Sequence, residues 1–82
     1  MPPPLPPPPN FAALSNKLAP QMTEADVQAV MGGPPRSTDL TTCGAAVGTP
    51  FRCKSWTYGN ALIIFFGADQ RGTWRVLGWG NL

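Results

Sequence analysis

The sequence predicts an α+β domain in which two N-terminal helices pack on one face of a three-stranded antiparallel sheet, in the order ααβββ. Three observations carry that expectation. Val27, Val30 and Met31 recur at helical spacing behind a capping signal at Thr23. Residues 51–58 and 61–66 are rich in aromatic and β-branched side chains and flank Gly59-Asn60, a two-residue hairpin signal. A further strand-like run, residues 73–79, follows the turn at 67–72 closely enough to pair back on its predecessor, and hairpin connections make the sheet antiparallel.

The chain has 82 residues, and residues 1–9 are almost entirely proline. Proline fixes φ and removes the backbone donor, so residues 1–9 read as an extended polyproline II spacer and residues 10–82 as the folding unit. A PxxP ligand reading of the same segment lacks its flanking cation, the nearest being Lys17. Met1 directly before Pro2 also reads as an initiator set ahead of a trimmed mature segment. Asn10 is the expected N-cap of a first helix over residues 11–18, which Pro20 stops. The second helix is expected from Thr23 to Met31, with Glu24 and Asp26 in its first turn and Gly32-Gly33-Pro34-Pro35 ending it. Residues 36–50 are small and polar and read as a long loop, of a length that calls for something to tie it down.

Cys43 and Cys53 are the natural tether. Their spacing does not match C-x-x-C, and a chain without histidine offers no tetrahedral zinc site, so a structural disulfide is the better account. Such a bond suits an exported protein. No metal and no cofactor are expected. The same scarcity argues against catalysis: without histidine there is neither a Ser-His-Asp nor a Cys-His arrangement, and Glu24 and Asp26 point about 200° apart around a helix. Gly32-Gly33 leads into prolines rather than into a phosphate-binding Gly-Lys-Ser/Thr. A formal charge of +2 from six Lys and Arg disfavours nucleic acid as the partner, although Phe51, Arg52, Lys54, Trp56 and Tyr58 could form a single-strand stacking platform.

The run Met22-Thr23-x-x-x-Val27-x-x-x-Met31-Gly32-x-Pro34, then Trp56-x-Tyr58, then the apolar strand from Leu62 to Phe66, resembles the small outer-membrane lipoproteins of the SmpA/OmlA type. That family includes the BamE subunit of the β-barrel assembly machinery, and its two-helix, three-stranded unit is related to that of β-lactamase inhibitory proteins. The resemblance covers residues 18–76. It implies an envelope protein held at the periplasmic side of the outer membrane, with a signal peptide and a lipidated cysteine ahead of the proline spacer. Two features depart from the family pattern: Gln21 stands where a glycine precedes Met-Thr, and the Cys43 to Cys53 segment is not a general family feature.

The sheet carries its own functional expectation. The middle strand is apolar on both faces, with Leu62, Ile64 and Phe66 on one and Ala61, Ile63 and Phe65 on the other, while two helices can cover only one. Strict alternation places Arg52 and Lys54 with Trp56 and Tyr58, and Arg75, Leu77 and Trp79 together. A partner-binding face of Ile63, Phe65, Arg52, Lys54, Arg75, Leu77 and Trp79 follows, suited to a protein partner or an anionic lipid headgroup surface. The opposing arrangement puts Trp56 and Tyr58 in the core and a bulge in the alternation. The expected function is a non-enzymatic envelope binding module in an outer-membrane assembly or scaffold complex. The alternatives are an inhibitor or accessory subunit of another envelope system and a single-stranded nucleic-acid binder, and oligomerisation is open to any of them.

Overall fold

The computed structural model describes residues 2–4 and 10–82. Of the expected spacer, residues 2–4 are exposed and have no regular structure, and the remainder lies outside the described residues. The domain is α+β, with helix α1 (Phe11–Leu14), helix α2 (Glu24–Met31) and strands β1 (Ser37–Cys43), β2 (Phe51–Tyr58), β3 (Leu62–Ala68) and β4 (Trp74–Asn81). The strands form one antiparallel sheet in the order β1-β2-β3-β4.

The first helix is shorter than expected. Asn10 caps it by accepting from the Ala13 amide, but after one α-turn the chain tightens to a 3-10 turn at Ser15–Lys17, and Leu18 is already extended. So short a segment gains few helical bonds against the entropy of ordering it, and burial of Leu18 in the core decides its end. The second helix follows its local signals closely. Thr23 and Asp26 form a reciprocal capping box, the Thr23 hydroxyl accepting from the Asp26 amide and the Asp26 carboxylate from the Thr23 amide. The Thr23 amide bond holds the Asp26 carboxyl below its ordinary range. At the other end Gly32 takes a left-handed φ of 87°, and the Gly32 and Gly33 amides both donate to the Gln28 carbonyl.

The expected loop over residues 36–50 is largely a strand, and the sheet therefore has four strands rather than three. Ser37–Cys43 pairs with β2 along its whole length, Ser37 opposite Thr57 and Cys43 opposite Phe51. Its side chains are mostly exposed because it lies at the sheet edge, so selection for apolar alternation is absent there. The Cys43–Cys53 disulfide joins this edge strand to β2, with Cα atoms 5.9 Å apart. The connection runs through Gly44, a 3-10 turn at Ala45–Val47, and Gly48.

Both helices lie on the sheet face that carries Trp56, Tyr58, Leu62, Ile64, Phe66 and Val76, and these residues with Leu18, Val27 and Met31 form the core. Trp56 packs on Phe66 with ring centroids 4.8 Å apart, and Phe11 reaches across to Tyr58 at 5.3 Å. The Tyr58 hydroxyl donates to the Gly33 carbonyl at 2.9 Å, which fastens the end of α2 to the sheet. Burial pushes this phenol up to about 12, so it stays a neutral donor.

Candidate interaction face

The face of the sheet opposite the helices is built by alternation from β2 and β3. Trp56 and Tyr58 turn inward, so Phe51, Cys53, Ser55 and Thr57 turn outward, and on β3 the outward residues are Ile63, Phe65 and Gly67. Leu62, Ile64 and Phe66 are each 0% exposed beneath the helices, whereas Ile63 and Phe65 are half-buried. The core-packing side chains of α1 and α2, Phe11, Leu14, Val27 and Met31, enter the other face, while on this one the small residues Cys53, Ser55 and Thr57 are themselves buried.

A bulge in β4 decides which of its residues join that face. Phe66 pairs with Val76 and Phe65 with Gly78, which leaves Leu77 as the inserted residue. Strict alternation would have kept Arg75, Leu77 and Trp79 together. Instead Trp79 pairs with Ile64 and packs against the core from the helix side. Leu77 lies over Gly67, where an added Cβ would come within 3.1 Å of the leucine methyls. Beyond the bulge, Gly78 and Gly80 stand opposite Phe65 and Ile63, and a Cβ added at either would meet nothing within 4 Å. Among the described residues no contact demands their smallness; glycine in a strand marks a bulge, as beside Leu77, or the close approach of another backbone or ligand.

The expected seven-residue site is therefore divided. Ile63, Phe65 and Leu77 share the uncovered face, and Arg75 joins them at its end opposite Gly67. Arg52 belongs by alternation to the helix side but is exposed at the sheet end. Lys54 and Trp79 face the helices. The Lys54 ammonium lies 3.0 Å from the Glu24 carboxylate and 4.7 Å above the Trp74 ring, so it ties α2 to the sheet. A half-exposed pair of this kind contributes about 1 kcal/mol or less. Alternation at 52, 54, 56 and 58 was legible in the sequence, but which side the helices occupy was not.

Two features of the site lay outside the expected partner-binding set. One is Phe51, which is 45% exposed and packs its ring against Gly44, within 3.2 Å of where a Cβ there would stand. The other is an anchored corner at the end of the sheet. Asp69 accepts from the Arg75 Nε at 2.7 Å and from the amides of Arg71 and Thr73, and the Arg75 guanidinium holds its carboxyl below the usual range. Arg75 also donates to the Gln21 carbonyl, and Gln21 sits at a left-handed φ of 74°. The departure from glycine noted at this position thus falls on a backbone conformation that favours glycine.

The carboxylates are occupied in the architecture: Glu24 with Lys54, Asp26 in the capping box and Asp69 in the corner, while Asp39 is exposed on β1. No helix among the described residues is long and apolar enough to cross a membrane. Comparison with protein-family models, with curated proteins and with solved structures gave no match.

Proposed function

We propose that this chain is a non-enzymatic binding module of the bacterial cell envelope, which docks on a protein partner of an outer-membrane assembly or scaffold complex through the sheet face opposite its helices. The observation that carries this reading is the second apolar row of β3: Ile63 and Phe65 remain half-buried on the face opposite the helix-packed core, beside Gly78 and Gly80. An apolar ridge next to a lane without side chains accepts a complementary surface at close range, and burying either residue fully would contribute about 1 to 3 kcal/mol. The disulfide and the resemblance to envelope lipoproteins support the compartment. In the same proposal the proline segment is a spacer from a lipid anchor at the periplasmic side of the outer membrane.

Photo-crosslinking in cells tests the reading. A photoreactive residue at Ile63, Phe65 or Gly80 should give a discrete protein adduct, and one at Asn60 or Lys17 should not. Equal adducts from both groups, or none from the face, would remove it.

A further inference from the structure

We infer that the end of this face, around Phe51 and Leu77, receives an extended partner segment in which carboxylates flank an apolar side chain. The inference rests on the protein-binding reading above and specifies the chemistry of the partner. Two depressions of about 320 and 330 Å³ lie here and share Gln21, Asp69 and Arg75 in their walls. The first is lined in part by Phe51 and Leu77, each 45% exposed, with Arg52 beside them; Arg71 borders the second.

Positive charge is gathered at this end. Arg52, Arg71 and Arg75 line these two depressions, whose walls hold one carboxylate, Asp69, while Asp26 lies near enough to feel the charge of Arg75. Elsewhere Lys54 is paired with Glu24. Asp69 and Arg75 are already engaged with each other, and Arg75 also with Gln21. The guanidinium groups of Arg52 and Arg71 have no hydrogen-bond or ion-pair partner among the described residues. One guanidinium group beside Phe51 and Leu77 and a second in the adjoining depression match carboxylates placed on either side of an apolar side chain. A bilayer presents the same sign of charge on a broad, even surface, whereas the arginines line two adjoining depressions, an arrangement that favours a peptide.

Fluorescence anisotropy on the full oxidised chain provides the test. The probes are a short synthetic peptide alternating Phe or Leu with Asp or Glu, its Asn/Gln counterpart, and vesicles of phosphatidylglycerol in phosphatidylcholine. The acidic peptide should bind and weaken as salt rises. Arg52→Gln and Arg71→Gln should each lower its affinity about two- to fivefold, and Phe51→Ser should lower it further, with unchanged melting of the arginine variants. Equal binding of the amide peptide, unchanged affinity of the arginine variants, absence of acidic-peptide binding, or binding to vesicles alone would each overturn the inference. If crosslinks at Phe65 persist while the acidic peptide fails, only this inference falls; loss of both removes the protein-binding reading as well.

Discussion

The two faces of β3 have nearly the same composition and opposite fates. Leu62, Ile64 and Phe66 are sealed under two helices, and Ile63 and Phe65 one residue away are left half-buried on the other side. Hydrophobicity alone does not distinguish these rows. What separates them is the attachment of the helices, through the Tyr58 bond to Gly33, the Lys54 pair with Glu24 and the backbone bonds between residues 21–22 and Val76. A small domain can therefore complete one core and leave a second apolar row outside it.

The largest expected effect comes from truncating neighbours across that divide. Phe66→Ala should cost about 3 to 5 kcal/mol in denaturant unfolding, and Phe65→Ala about 1 kcal/mol. Equal losses would mean that the outer row is a second core rather than a surface.

The disulfide sharpens the comparison from the outer side, because Cys53 lies on the uncovered face yet is 0% exposed. Replacing Cys43 and Cys53 by serine should cost about 2 to 3 kcal/mol, by the chain-entropy account of a short closed loop. Hydrogen exchange should show the lost protection concentrated in β1, with the amides of α2 affected less. Uniform loss across both faces would show that β1 is integral to the core despite its exposed side chains.

The smallest effect is a gain. Gln21→Gly relieves a left-handed residue of about 1 to 2 kcal/mol while adding chain entropy to the unfolded state, so a net stabilisation of about 0.5 to 1 kcal/mol is expected in thermal or denaturant unfolding. Gln21→Ala should give none of it. A loss from Gln21→Gly would show that the glutamine side chain contributes to the Arg75 corner beyond its carbonyl.

The sequence by itself determined what depends on near neighbours. Thr23 with Asp26 and Gly32 defines α2, because capping is settled within a few residues of each helix end. Gly59-Asn60 marks the reversal between β2 and β3, with Gly59 at a φ of 56°, and the alternation from 52 to 58 is complete without reference to anything distant. The bond between Cys43 and Cys53 was expected because redox-pair and zinc-site readings required residues that the chain lacks and a long loop called for a tether, with two separate thiols as the alternative that the pairing itself removes.

Tertiary structure decided the rest. The polar segment Ser37–Cys43 becomes a strand because β2 offers it a free edge and the disulfide holds it there, so its pairing rather than its composition stabilises it. The bulge at Leu77 depends on matching β4 to β3, and that one inserted residue sends Trp79 to the core side and leaves Leu77 outside. Lys54 became a helix anchor and Arg52 a cation without an ion-pair partner among the described residues, although they lie two residues apart on one side of β2, because α2 reaches Glu24 to the first and not to the second. Residue type and spacing state which side chains share a face; only the docking of the helices states which face they cover.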